Sequence, residues 1–122
     1  MKITTLNPLI VTAHPEETIA LFEALGFERR HTKQELGEKD TTLVRMSLGE
    51  FRVDISEDAD VPQDLMMIRM NVDSFQEARD FLYSKGFKGA FTEEITEDSS
   101  SKGTSLISPS GFIIALAEHI KK

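Results

Sequence analysis

The chain has 122 residues, enough for one ordinary domain with a single core. It contains no cysteine, which excludes disulfides, thiolate metal ligands and cysteine nucleophiles and agrees with a reducing, cytoplasmic setting. The 14 basic and 21 acidic side chains give a formal net charge of −7, which repels nucleic-acid phosphates and anionic lipids. No apolar run approaches the roughly 20 residues that cross a bilayer. We therefore expect neither nucleic acid nor a membrane as a partner.

The first half of the sequence predicts a strand, a helix and three further strands. Residues 7–12 are mostly apolar and form a run short enough for a strand, and Pro15 with the two acids after it suits the first turn of a helix. The helix presents an apolar stripe made of Ile19, Phe22 and Leu25. Gly26 supplies its left-handed stop. The predicted strands that follow cover residues 27–34, 41–48 and 51–55.

The second half predicts the same order after an acidic linker at residues 57–64. Ser74 caps the second helix, and Gly86 ends it. The helix stripe consists of Phe75, Ala78, Phe81 and Leu82. Predicted strands cover residues 66–72, 88–95, 104–108 and 112–119. A polar loop is predicted at residues 96–103, and its residues 97–102 form either a hairpin tip or a lid.

An internal repeat follows from the two helix ends. A shift of 60 residues superimposes Gly26 on Gly86 and Phe27 on Phe87. We read this as duplication of one supersecondary unit. The prediction is a single α+β domain, residues 1–122, built from βαβββ modules at residues 1–56 and 65–122.

Alternation along the predicted strands separates two rows of side chains. The row expected to face the helices and form the core contains Pro8, Ile10, Phe51, Val53, Ile55, Ile68, Met70, Val72, Phe112, Ile114 and Leu116. The opposite row mixes apolar and polar groups: Asn7, Leu9, Val11, Arg52, Asp54, Met67, Arg69, Asn71, Ile113, Ala115 and Ala117. Such a mixture suits the wall of a small-molecule cavity. It also suits an ordinary solvent-facing side of an antiparallel sheet.

Three stretches of sequence resemble the vicinal oxygen chelate superfamily, which includes glyoxalase I, bleomycin-resistance proteins and extradiol dioxygenases. They are residues 7–14 leading into 21–27, residues 67–73 leading into 81–87, and residues 108–114. The resemblance covers essentially the whole chain. It implies a cupped mixed sheet with the helices on its outer face and the mixed row lining the cup.

The resemblance also implies where a metal would bind, because metal-dependent members place ligands on the first and last strands of each half. Those positions fall on Asn7, Asp54, Met67 and Ala115. Asp54 alone is an ordinary ligand for a hard metal, since methionine is soft and alanine has no donor atom. We therefore expect no metal and no other cofactor. The three histidines, at positions 14, 31 and 119, are scattered and do not replace these ligands.

Charged side chains remain on the mixed row at Arg52, Asp54 and Arg69. They form either a structural ion pair or the polar end of a ligand site. Asp54 is also a weak candidate for a metal-free general base.

The predicted function is binding of a small, partly apolar organic molecule, neutral or anionic, without a catalytic metal. Its expected ligand-binding residues are Asn7, Arg52, Asp54, Met67, Arg69 and Ala115. The alternatives are a metal-dependent lyase, isomerase or dioxygenase of the same superfamily, and a structural module with a vestigial cavity. We also expect a homodimer, because family members commonly dimerise and a sheet edge near residues 1–5 can pair with another chain.

Overall fold

The computed structural model describes residues 1–34, 42–91, 95–97 and 101–119. The two helices are α1 (Pro15–Ala24) and α2 (Phe75–Ser84). The strands are β1 (Ile3–Thr12), β2 (Glu28–Gln34), β3 (Thr42–Leu48), β4 (Phe51–Glu57), β5 (Leu65–Val72), β6 (Lys88–Gly89), β7 (Thr96–Glu97), β8 (Ser101–Ile107) and β9 (Ile113–His119). The predicted α+β class is confirmed. No helix among the described residues is long and apolar enough to span a membrane.

The chain divides into two compact units. The N-terminal unit contains residues 7–34 and 42–66, and the C-terminal unit contains residues 1–6 with the described part of 67–119. The predicted boundaries of the single domain, its modules and its linker remain a prediction.

In the N-terminal unit, β2 and β4 pair with β3 as antiparallel neighbours, and β4 pairs in parallel with the second half of β1. Helix α1 packs on one face of this sheet, where Ile19 meets a buried cluster of strand residues. The cluster contains Val44, Met46, Val53 and Ile55, with Ile10, Phe22 and Phe27 packed against it. Since neighbours along a strand point to opposite faces, the residues between these core positions lie on the other face.

The C-terminal unit repeats this arrangement. Strand β5 pairs in parallel with β9, and β8 pairs antiparallel with β9, β6 and β7. The buried cluster against α2 contains Met70, Val72, Phe75, Ala78, Leu82, Leu106, Ile114 and Leu116. Residues at the start of β1 lie beside β5: the backbone N–H of Asp73 donates to the carbonyl of Lys2 at 3.0 Å. The edge that we expected to pair with another chain is thus already bonded within this unit, while the homodimer itself stays a prediction.

Both helices end in the same way. Gly26 and Gly86 adopt positive φ of 106° and 96°, and the phenylalanine after each donates its backbone N–H back into the last turn. This is the αL termination that the sequence predicted. A Cβ at Gly86 would also meet Cγ of Pro109 at 2.8 Å, so close packing requires glycine there in addition to its backbone conformation.

Two predicted segments of the C-terminal unit were wrong. The strand expected at residues 88–95 forms only as β6, because the chain bends at residues 90–91; residues 92–94 lie outside the described part. The polar loop expected at residues 96–103 contains paired strand at both ends, with Thr96 opposite Gly103 and Glu97 opposite Lys102. The choice between a hairpin tip and a lid falls on residues 98–100, which lie outside the described residues.

Several residues predicted for the core are exposed instead. Leu25 follows the last helical residue of α1, and Phe81 faces solvent, where Nζ of Lys85 lies 5.4 Å from its ring. Among the strand residues the exposed ones are Pro8, Phe51, Ile68 and Phe112. Phe51 begins β4 and Phe112 precedes β9, so both lie at strand ends beside tight turns.

Candidate functional site

The mixed face of the N-terminal unit is built by strand register. Asp54 on β4 lies between two Cα partners, Leu9 on β1 and Arg45 on β3. Asn7 is two residues before Leu9 and shares its face. Asn7, Leu9 and Asp54 are 5 %, 4 % and 0 % exposed. These residues therefore do not belong to an ordinary solvent-facing sheet surface.

Asp54 is paired with a guanidinium group. Nε of Arg45 donates to Oδ1 of Asp54 at 3.3 Å, and the Arg45 side chain is 27 % exposed while that of Asp54 is fully buried. A buried carboxylate is costly unless it is paired and hydrogen-bonded, so this contact compensates part of the desolvation cost. The same contact holds the plane of the guanidinium group in position.

Asn7 presents a polar atom that the fold does not use. Its Nδ2 donates to the carbonyl of Pro8 at 2.9 Å, whereas its buried Oδ1 has no partner among the described residues. An unsatisfied buried acceptor is rare in native proteins. Asn7 can therefore accept a hydrogen bond from a ligand.

Arg52 is two residues before Asp54 on β4 and lies opposite Ser47. Its side chain is exposed and makes no hydrogen bond or ion pair with any residue that the structure describes. The proposed ion-pair role thus belongs to Arg45 rather than to Arg52.

In the C-terminal unit the corresponding face carries Met67, Arg69 and Ala115. Arg69 is the Cα partner of Ala115, and Ala115 is the partner of Ser105 on β8. Met67 is buried, and Arg69 and Ala115 are half-buried. Ala115 takes the place that Asp54 holds in the N-terminal unit, so the only carboxylate of the four metal positions is Asp54.

The side chains at the four metal positions do not fit a divalent ion. One oxygen of Asp54 is engaged by Arg45, and a cation beside a metal ligand opposes binding of a second cation. Within the described ranges no three His, Asp or Glu side chains are grouped so that they can hold a metal. His14 and His119 are exposed, and nothing is described of the His31 side chain.

Sequence reasoning did not single out Arg45. The signal was available: a two-residue turn at Gly49–Glu50 pairs Leu48 with Phe51 and, three steps further along, Arg45 with Asp54. Asn71, which is 3 % exposed, belongs to the predicted mixed row but had no predicted role. Its lack of hydrogen bonds depends on its three-dimensional neighbours, and no sequence pattern reports it.

Comparison with known proteins gives structural neighbours only. No protein-family model matches the chain, and no curated protein matches its sequence. Methylmalonyl-CoA epimerase from Mycobacterium tuberculosis is similar, with a TM-score of 0.70 and 14 % identity over 98 % of this chain and 90 % of that one. A variant of the Streptomyces coelicolor methylmalonyl-CoA epimerase, in complex with 2-nitronate-propionyl-CoA, gives 0.69 and 15 % over 95 % and 94 %.

A third similar structure is described only at the level of its superfamily. It is a glyoxalase/bleomycin resistance protein/dioxygenase superfamily member from Vibrio splendidus 12B01, with a TM-score of 0.54 and 14 % identity over 93 % of this chain and 97 % of that one. At these identities the likeness concerns the fold. Together with the βαβββ order, it shows that the chain has the vicinal oxygen chelate fold that the sequence resemblance implied.

Proposed function

We propose that this protein binds small, partly apolar organic acids at the mixed face of its N-terminal unit, without a divalent metal, and that Arg45 holds the acid group. The observation that carries the proposal is the Arg45–Asp54 contact, in which a fully buried carboxylate orients a partly exposed guanidinium group.

The guanidinium group retains binding capacity. Its Nε is used by Asp54, and its two terminal nitrogens have no partner among the described residues. Arginine offers donors in a planar fork that matches the two oxygens of a carboxylate. Because Asp54 already fixes the group, less conformational entropy is lost when a ligand binds.

Apolar side chains flank this fork on the same face. Leu9 on β1 and Leu43 on β3 are 4 % and 5 % exposed. They favour a ligand whose acid group is attached to a short apolar body. The vacant Oδ1 of Asn7 adds an acceptor for a hydroxyl or N–H group on that body.

The structural neighbours support the same class of ligand. One epimerase of this fold is described in complex with 2-nitronate-propionyl-CoA. A nitronate is a planar anion with two oxygens, attached there to a short acyl chain.

The test uses benzoate, which joins a carboxylate to an apolar ring. We expect saturable binding to the parent protein by isothermal titration calorimetry and at least tenfold weaker binding to Arg45→Met. Arg29→Met is the matched control, because Arg29 is exposed and pairs with the core residue Met46 on the other face of the sheet. Equal benzoate affinity in the parent and Arg45→Met, or no binding to the parent at millimolar concentration, would refute the proposal.

A further inference from the structure

A second buried amide lies in the C-terminal unit and has no role in the proposed acid site. Asn71 on β5 stands between Met70 and Val72, which both pack against α2, so its side chain lies on the opposite face. It is 3 % exposed. Its amide makes no hydrogen bond to any residue that the structure describes, and its Oδ1 is completely enclosed.

Small residues stand beside Asn71 on the neighbouring strands. Its Cα partner on β9 is Ala117, and the partner of Ala117 on β8 is Gly103. The next row on this face contains Ala115 and Ser105. We call these four residues, Gly103, Ser105, Ala115 and Ala117, the small-residue floor.

The matching positions of the N-terminal unit are larger. There the same register joins Val11, Ser56 and Leu43, with Val11 in the place of Asn71 and Leu43 in the place of Gly103. Gly103 has no side chain at the position where the N-terminal unit has the apolar side chain of Leu43. At these positions the C-terminal unit thus combines small residues with a polar amide, where the N-terminal unit has two apolar side chains and a serine.

Exposure falls along the floor from the first of its two rows to the second. Ala115 and Ser105 are half-buried, whereas Ala117, Gly103 and Asn71 are buried. A flat molecule that enters over the first row therefore meets the amide of Asn71 with its leading edge. Because a buried amide without hydrogen bonds is costly, a ligand that satisfies both of its groups gains affinity from them.

We propose that the small-residue floor and Asn71 bind a flat molecule with an N–H next to a C=O, such as a lactam or a cyclic imide. Its N–H donates to Oδ1 of Asn71, and its carbonyl accepts from Nδ2, which gives the paired hydrogen bonds of two facing amides. Two independent observations support the site. The small-residue floor can contact the flat face of a ligand, and the unsatisfied amide of Asn71 can orient its N–H and C=O groups. The proposed site uses none of the residues of the acid site and does not depend on the proposed acid binding.

The test uses 2-pyridone, a flat lactam, followed by protein-observed NMR of a ¹⁵N-labelled sample. We expect saturable shifts of the Asn71 side-chain NH₂ signals and at least tenfold weaker binding to Asn71→Leu, which keeps the size and removes both hydrogen bonds. Gln76→Leu is the matched control, because it also replaces an amide by leucine in the same unit, but Gln76 is exposed on α2 and its Nε2 donates to Asp80. Its affinity for 2-pyridone should equal that of the parent.

Two further measurements keep the outcome decisive. Ala117→Leu covers the floor without altering Asn71 and should also abolish 2-pyridone binding, which provides a second variant if Asn71→Leu does not fold. Pyridine, which has no N–H, should not bind the parent detectably. Unchanged affinity in both variants, or no binding of 2-pyridone to the parent, would overturn the inference, whereas failure of benzoate binding would leave it intact.

Discussion

At the scale of single residues, Asp54 pairs with Arg45 on the mixed face. The carboxylate is fully buried and its guanidinium partner is partly exposed. Solvent around Arg45 reduces the value of the pair compared with a fully buried one, because screening weakens the attraction and the freed arginine can be rehydrated. The loss on breaking it is therefore moderate.

We predict that Asp54→Asn lowers the free energy of unfolding by about 1–3 kcal/mol, the usual cost of disrupting a buried hydrogen bond to a charged group. Urea denaturation monitored by circular dichroism measures it. The control Arg52→Met alters an exposed side chain without a described partner and should stay within about 0.5 kcal/mol of the parent. An Asp54→Asn variant as stable as the parent would show that the pair is energetically neutral.

The same residues show how far the sequence could lead. Strand alternation placed Asn7, Asp54 and Asn71 on the mixed row, and the structure buries all three. The partner of Asp54 required one more step, the register of the β3–β4 hairpin. Sequence patterns cannot predict that a buried amide has no hydrogen bonds, because this depends on which polar groups the neighbouring strands place beside it.

At the scale of elements, several polar and charged groups contact the N-terminal end of helix α2. The hydroxyl of Ser74 accepts from the N–H of Glu77 at 3.4 Å, and Oε1 of Glu118 accepts from the N–H of Phe75 at 2.6 Å. The ammonium group of Met1 lies 2.7 Å from Oε2 of Glu77. Carboxylates suit this end of a helix, where backbone N–H groups have no partners within the helix.

The contact with Met1 makes a pH-dependent contribution. The Glu77 carboxylate raises the pKa of the Met1 ammonium above its ordinary value of 8.0, first by accepting its hydrogen bond and then by attracting its charge. A raised pKa in the folded state means that the stabilisation is complete below the pKa of the unfolded chain and is lost as the pH rises through the folded value.

We therefore predict that Glu77→Gln melts at a lower temperature than the parent by a margin that is constant between about pH 6 and pH 7 and shrinks above about pH 8. Thermal melts of both proteins across this range measure the margin. The effect is small, because the pair is at the surface. A margin that persists unchanged well above the ammonium pKa would mean that Glu77 acts on α2 by another route.

Elements were predictable where their signals were local. Pro15, Ser74 and the glycines at 26 and 86 marked the helix limits correctly. The prediction missed β7 at residues 96–97 and the first residues of β8, 101–103. Their polar sequence favours a loop, whereas the structure pairs them with each other in antiparallel register. Phe81 was misplaced for a related reason: its position next to Leu82 is close to the apolar stripe, yet its ring lies under Lys85 on the solvent side.

At the scale of the whole molecule, the two units share a register but carry different side chains at the matching positions. Leu9, Asp54 and Arg45 of the N-terminal unit correspond to Arg69, Ala115 and Ser105 of the C-terminal unit. Asp54 and Arg45 thus correspond to the small, uncharged Ala115 and Ser105, whereas the charged Arg69 corresponds to the apolar Leu9.

The last prediction concerns the metal positions of the entire chain. Asn7, Asp54, Met67 and Ala115 offer one carboxylate between them, and Arg45 contacts it. An ion present at a free concentration of one hundred times its Kd would stabilise the folded protein by about 2.7 kcal/mol. A thermal melt would detect this as a rise of several degrees in the melting temperature. We predict no such rise with Mn²⁺, Ni²⁺, Zn²⁺ or Fe²⁺ and no stoichiometric metal by elemental analysis of the purified protein. Asp54→Asn is the control: if an ion does raise the melting temperature of the parent and this response disappears in Asp54→Asn, the carboxylate is a metal ligand after all, and the metal-free proposal for the acid site fails.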